Sequence, residues 1–130
     1  MRIERKHLFP VIWLVFIIYA SLTPSNDLPK LLFFPYFDKF IHLGIYFVFS
    51  ILLIPSILSN KQYFKSYFLS GIISILTGIL FEFLQYYLGN GRTASPMDAL
   101  ANSLGTIVGI LFYMFFIKAK KIEKIVFKIE

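Results

Sequence analysis

Four apolar segments dominate the chain, and each is long enough to cross or nearly cross a lipid bilayer. A membrane-spanning helix takes about 20 apolar residues, and an open strand cannot satisfy its backbone hydrogen bonds in lipid. The predicted spans are residues 8–22, 40–58, 67–88 and 97–117. Hydrophobic residues make up 58% of the sequence and charged residues only 15%, which disfavours a soluble domain. We therefore predict an all-α membrane protein, a four-transmembrane-helix bundle.

The spans form one predicted domain, residues 1–117, and a basic tail follows at residues 118–130. The amino-terminal segment resembles a secretory signal peptide only superficially, because its apolar run is long and no small-residue cleavage site follows it. It is interpreted as an uncleaved first span. The tail alternates Lys with Ile, Val and Phe. A solvated positive anchor is the favoured interpretation of the tail, and a short amphipathic helix on the inner leaflet is the alternative.

The distribution of Lys and Arg predicts which side of the membrane each loop faces. Of the 13 basic residues, only Lys30, Lys39 and Arg92 lie on one side, and the rest flank the other ends of the spans. Both termini are therefore predicted to be cytoplasmic, and loops 24–39 and 89–96 to face outward, in a multi-pass protein of the cell membrane. Because the basic residues flank apolar runs instead of forming one patch, no nucleic-acid binding is expected.

Polar side chains interrupt the last three spans near the predicted outer face. Ionisable groups at membrane depth are costly and are usually retained for a use. Six polar residues fall into pairs three or four residues apart, one pair in each of these spans: Asp38 and His42, Glu82 and Gln85, and Asp98 and Asn102. Each spacing places the pair on one helical face. Small residues follow the polar pairs on the same helical faces, as in the Gly105-x-x-x-Gly109 motif. We therefore expect the polar faces to point into the bundle, with the glycines packing the helices closely on the inner side.

The connection between the third and fourth spans has the signals of a helix end and a helix start. Gly89 is placed to end the third helix in a left-handed conformation. Ser95 is the predicted N-cap of the next helix, with Pro96 at its first position and Asp98 in its first turn. Capping alone accounts for Ser95, whereas Asp98 is expected to do more because its face continues inward through Asn102.

Together these residues resemble the VanZ-like family of integral membrane proteins. The resemblance covers about residues 19–113 and rests on an ordered set: Tyr19, the Ser21–Pro24 segment, Asp38, Lys39, His42, Glu82, Gln85, Arg92, Asp98, Asn102 and Gly105. It implies a protein of the cell envelope, and the family's namesake is linked to low-level resistance to the lipoglycopeptide teicoplanin. It implies no settled biochemical activity, and it does not by itself predict that this chain confers resistance.

Three functional hypotheses remain open. In the first, the polar residues bind the headgroup of a membrane lipid or of a lipid-linked cell-wall precursor. Arg92 suits phosphate or carboxylate because its planar fork makes bidentate contacts, and Lys39 adds a second cation. The predicted binding residues are Asp38, Lys39, Gln85, Arg92 and Asn102.

In the second hypothesis the protein is a membrane-embedded hydrolase or transferase that acts on such a headgroup. His42 is the natural general base, oriented by Asp38 or another carboxylate, and Glu82 is a candidate acid. Asn102 and Gln85 are candidate donors to a developing oxyanion. No nucleophile motif such as G-x-S-x-G is present, so hydrolysis would use water. The predicted catalytic residues are His42, Glu82 and Asp98.

In the third hypothesis the polar residues are structural: a carboxylate pairs with Arg92, His42 joins the pair, and the helix register is fixed. A divalent metal is disfavoured in all three, and no cofactor is predicted. The chain has no cysteine. One histidine and the carboxylates of Asp38, Glu82 and Asp98, on separate helices, lack a compact ligand signature. The sequence indicates no particular oligomeric state.

Overall fold

The part of the chain that the structure describes folds into four long helices followed by a short fifth helix. The computed structural model describes residues 4–24, 36–89, 91, 93–118 and 120–127. The helices are α1 Arg5–Leu22, α2 Phe37–Ile57, α3 Tyr63–Leu88, α4 Pro96–Phe112 and α5 Lys121–Phe127, and a π-helical turn, Tyr113–Ile117, continues α4. Four helices, the last counted to Ile117, are long and apolar enough to cross a membrane. The predicted all-α, four-helix membrane fold is therefore confirmed.

The helix ends follow local signals in the sequence. Gly89 ends α3 with a φ of 60°, a left-handed conformation that glycine adopts without a Cβ clash. Pro96 opens α4, where its missing N–H is not needed. α3 begins at Tyr63, earlier than the predicted span. Apolar residues mark only the part of a helix that crosses lipid, and this helix continues beyond that part into polar residues.

The contact between α2 and α4 is the most extensive in the bundle, and glycines on α4 permit it. A Cβ on Gly105 would collide with the carbonyl oxygen of Leu43. One turn further along, a Cβ on Gly109 would collide with the carbonyl oxygen of Phe47 and the hydroxyl of Ser50. Because two of these neighbours are backbone atoms of α2, a rotamer change cannot make room. The predicted packing use of the two glycines is therefore confirmed.

Small and hydroxyl-bearing residues join α3 to α4. Ser74 and Thr106 are fully buried, and their hydroxyl oxygens lie 2.7 Å apart. A Cβ on Gly78 would lie only 3.1 Å from the Cβ of Asn102, so the glycine lets that side chain pack against α3. The small-residue face of α3 thus points into the bundle, as predicted.

Helix α1 attaches to α2 through hydrogen bonds and apolar contacts. Trp13 Nε1–H donates to the carbonyl oxygen of Ile45 at 2.9 Å. Ile17 is buried in a core cluster with Tyr46 and Phe49. Large apolar side chains are exposed on the outside of all four long helices. Such a surface is expected where a helix bundle faces lipid.

Helix α5 folds back against the bundle through a buried carboxylate. Glu123 is 2% exposed. The hydroxyl of Tyr113 donates to its Oε1 at 2.6 Å, and the hydroxyl of Tyr63 donates to its Oε2 at 3.1 Å. Phe127 is also buried, with its ring close to those of Tyr113 and Phe9. The end of α4 is thereby tied to the starts of α1 and α3.

The other faces of α5 are apolar and basic. Ile122 and Ile125 are exposed, as are Lys121 and Lys124. The favoured prediction of a wholly solvated tail does not hold for this helix, because one face is docked on the bundle. The amphipathic surface agrees better with the alternative. Its contact with the inner leaflet stays a prediction, as does the cytoplasmic placement of the termini.

Candidate functional site

Three helices bring polar side chains together at the end of the bundle opposite α5. The contributing segments are the start of α2, the end of α3 and the start of α4. We call this group the polar cluster; its members are Lys39, His42, Glu82, Asp98 and Asn102. His42, Glu82 and Asp98 each offer one atom to a set that lies within 4.8 Å of one another. Side chains from three spans therefore converge at one level.

His42 lies between the two carboxylates, and Asn102 holds its imidazole. Nδ1 of His42 lies 3.1 Å from Oδ1 of Asn102. Because an amide oxygen only accepts hydrogen bonds, Nδ1 carries the proton in this contact. Glu82 Oε1 lies 3.8 Å from Nδ1, and Asp98 Oδ2 lies 4.0 Å from Nε2. The ring is thus held in one orientation.

Of the carboxylates that the sequence offers to orient His42, Asp38 contacts Lys39 instead. Its exposed carboxylate accepts a hydrogen bond from Lys39 Nζ at 2.6 Å. The same Nζ lies 2.5 Å from Asp98 Oδ1, in an ion pair. Asp38 lies in the first turn of α2, where its side chain is exposed. Lys39 therefore links a carboxylate at the rim to one in the interior.

Exposure falls steadily from the rim of the bundle inward. The Asp38 side chain is 60% exposed and that of Lys39 is 24% exposed. His42 is 13% exposed, Asp98 11% and Glu82 8%. The polar cluster is thus a path from the surface into the end of the bundle, along which charged side chains have polar partners as their burial requires.

The segment before α4 closes over Glu82. The backbone N–H of Ser95 donates to Glu82 Oε2 at 3.2 Å. Ser95 is the N-cap residue of α4, as predicted, but its side chain makes no capping hydrogen bond. It contributes its backbone N–H to the carboxylate of α3. Arg92, which the sequence predicts to hold an anionic group, lies outside the described residues.

The two amides predicted to donate to an oxyanion have other partners. Gln85 Nε2 donates to the backbone oxygen of Ser21 at 2.9 Å and so ties the end of α3 to the end of α1. Asn102 presents its oxygen, not its nitrogen, to His42. Neither contact is that of an oxyanion donor. Gln85 therefore joins two helix ends by a hydrogen bond, and Asn102 positions the imidazole.

Tyr46 is a polar residue near the cluster that sequence reasoning missed. It is 2% exposed, and its hydroxyl has no hydrogen-bond partner among the residues that the structure describes. It follows His42 by one helical turn, and its ring edge lies close to Gly78. The spacing of Asp38, His42 and Tyr46 on α2 is the signal that would have found it. Its buried hydroxyl adds a hydrogen-bond donor to this end of the bundle.

Comparison with known families supports the resemblance drawn from the sequence. A model of the VanZ/LLP1 family matches residues 7–117. The chain belongs to the VanZ/LLP1 family. The matched part of this VanZ/LLP1 protein includes almost all of the four membrane-spanning helices and every member of the polar cluster, whereas α5 lies beyond it. No curated protein and no solved structure matches the chain.

Proposed function

We propose that this VanZ/LLP1 protein binds the polar headgroup of a membrane lipid, or of a lipid-linked cell-wall precursor, at the polar cluster. The observation that carries the proposal is the convergence of His42, Glu82 and Asp98, from three helices, within 4.8 Å. This convergence is not needed to fix the helix register, because Gly105 and Gly109 already set how closely α4 approaches α2. Burial of ionisable groups near lipid is costly, and a ligand explains why they are kept.

The polar cluster offers a headgroup both cationic and anionic partners. Lys39 lies near the rim and suits a phosphate or carboxylate, together with Arg92. Glu82 and Asp98 lie deeper and suit hydroxyl or ammonium groups. The positive-inside rule predicts that this end faces outward, and in this proposal it meets the lipid-linked wall precursors there. In this proposal, any effect on teicoplanin susceptibility arises through the population of that lipid or precursor.

The test compares the lipids that copurify with matched lysine variants. Lys39→Ala removes the cation of the polar cluster, and Lys65→Ala removes an exposed lysine at the other end of α3. Each protein is extracted in mild detergent, and its lipids are quantified by mass spectrometry. We expect one lipid class to fall about tenfold in Lys39→Ala, which corresponds to about 1.4 kcal/mol, and to be retained in Lys65→Ala. Equal retention by all proteins overturns the proposal.

A second candidate function, an enzyme acting on the same headgroup, is favoured by the fixed imidazole. Asn102 engages Nδ1 of His42, so Nε2 is the atom left to accept a proton from water or a hydroxyl. The carboxylates of Glu82 and Asp98 would stabilise the imidazolium that forms. Incubating purified protein with the retained lipid, with His42→Ala as the control, tests this candidate. Recovery of unchanged lipid from the wild-type protein counts against catalysis.

The structural hypothesis predicts a different result for the same variants. If the polar cluster only holds the helices together, His42→Ala and Asp98→Asn will lower thermal stability and leave the retained lipids unchanged. If it binds a headgroup, they will change the lipid profile of protein that is still folded. Circular dichroism of each purified variant separates these two outcomes.

A further inference from the structure

We propose that His42, Glu82 and Asp98 bind one divalent transition-metal ion, such as Zn²⁺, at the centre of the polar cluster. Three protein ligands with one open position are typical of catalytic zinc sites, whereas structural sites are closed by four. This inference rests on the proposed function, because it uses the same site. The open position on the ion would face a headgroup phosphate or a water. The sequence alone disfavoured a metal because the ligands lie on separate helices, and the fold brings them together.

Contacts outside the donor set already orient both carboxylates. Asp98 Oδ1 is paired with Lys39 Nζ, and Glu82 Oε2 accepts the backbone N–H of Ser95. The second oxygen of each carboxylate faces the imidazole, Glu82 Oε1 toward Nδ1 and Asp98 Oδ2 toward Nε2. Metal sites in proteins use such outer contacts to orient the ligands. The outer contacts therefore orient both carboxylates toward the imidazole, and Glu82 would shift toward Nε2 to share an ion with Asp98.

The imidazole faces one of these carboxylates across a gap. Nδ1 of His42 contacts Asn102, which leaves Nε2 as the imidazole nitrogen that faces Asp98. Asp98 Oδ2 lies 4.0 Å from Nε2, too far for a hydrogen bond. A metal ion bonded to both atoms would occupy this gap.

The separations are somewhat longer than those in a tetrahedral zinc site. Zinc bonds to nitrogen and oxygen of about 2.0–2.2 Å, at a tetrahedral angle, place two ligand atoms about 3.3–3.6 Å apart. The 4.0 Å between His42 Nε2 and Asp98 Oδ2 exceeds this range by a few tenths of an ångström. The whole donor set lies within 4.8 Å, so side-chain shifts of about 1 Å would complete the site. The imidazole nitrogen favours a first-row transition ion over Ca²⁺ or Mg²⁺, which prefer oxygen ligands alone.

Titration with the metal alone tests this inference. The protein, with any affinity tag removed, is placed in discs of neutral phosphatidylcholine and stripped with a chelator. ZnCl₂ is then titrated by calorimetry, and CoCl₂ is titrated while the visible absorption of bound Co²⁺ is recorded. We expect one ion per chain. His42→Gln and Asp98→Asn should each weaken binding at least tenfold, and Asn102→Ala, which removes only an outer contact, about 10- to 100-fold.

His7→Gln is the matched control, because the chain has 2 histidines and His7 lies at the opposite end of the bundle, 3.0 Å from the hydroxyl of Ser56. It should bind zinc as the wild-type protein does. Failure of the wild-type protein to bind one ion overturns the inference, as does equal affinity in His42→Gln. If His42→Gln does not fold by circular dichroism, Asp98→Asn and Asn102→Ala decide between the outcomes.

Lipid retention by the stripped protein separates this inference from the proposed function. Wild-type protein that retains its lipid but binds no zinc overturns the metal site alone. Protein that binds one zinc ion but retains no specific lipid overturns the headgroup proposal alone.

Discussion

Replacing Gly105 with alanine tests whether the contact between α2 and α4 sets the geometry of the polar cluster. The new Cβ would lie 2.9 Å from the carbonyl carbon of Leu43 and 3.0 Å from its Cα, and ordinary Cβ contacts begin at 3.4 Å. The obstructing atoms belong to the backbone, so the two helices must separate by about 0.5–1 Å. Leu43 follows His42, so the same displacement pulls the imidazole away from Asn102 on α4.

The net cost follows from two opposing effects. Overpacking at a close contact costs about 1–3 kcal/mol, and a gap of 0.5–1 Å forfeits about a quarter to a half of the dispersion energy of the facing atoms. Alanine in place of glycine within a helix regains up to about 1 kcal/mol. We therefore expect Gly105→Ala to lower the free energy of unfolding by about 1–2 kcal/mol. It should also lengthen the 3.1 Å contact between His42 and Asn102.

Gly44→Ala provides the matched control, because a Cβ on Gly44 in α2 would meet nothing within 4 Å. Equilibrium unfolding in mixed detergent micelles gives the free energy of unfolding of each variant. Gly44→Ala should be unchanged or stabilised by up to about 1 kcal/mol, and Gly105→Ala should be destabilised. A difference between the two variants below about 0.5 kcal/mol would refute the reasoning that the α2 backbone limits the approach of α4.

Two other contacts that the sequence did not indicate lead to predictions of their own. Glu123→Ala removes the acceptor shared by Tyr63 and Tyr113, so we expect undocking of α5 at a cost of about 2–3 kcal/mol. Trypsin should then cleave at the α5 lysines several-fold faster, and a wild-type cleavage rate would contradict the docking. Gln85→Leu removes the hydrogen bond to Ser21 and should lower the unfolding free energy by about 1 kcal/mol while lipid retention is unchanged. Loss of retention would instead make Gln85 a binding residue.

Residue type and spacing predicted much of the candidate site but not the roles within it. The three-to-four-residue spacing of polar side chains placed His42, Glu82 and Asp98 at one level, where the structure has them. The sequence left open whether Asp38 or another carboxylate orients His42. In the structure the imidazole contacts Asn102, 60 residues away in sequence, and Asp38 contacts Lys39. Spacing along one helix cannot identify a partner on a facing helix, because that contact depends on how the helices pack.

The sequence by itself determined that this chain forms four membrane-spanning helices, which face of each is polar, and where α3 ends and α4 begins. These properties are local, because apolar length, helical period and the conformation of a glycine need no partner. Only the tertiary structure decided which polar atoms meet: Asn102 with His42, Gln85 with Ser21, and Glu123 with two tyrosines. The hydrophobic pattern sets helix rotation only coarsely. Hydrogen bonds and metal coordination depend on separations of a few tenths of an ångström, which close backbone contacts such as that at Gly105 establish.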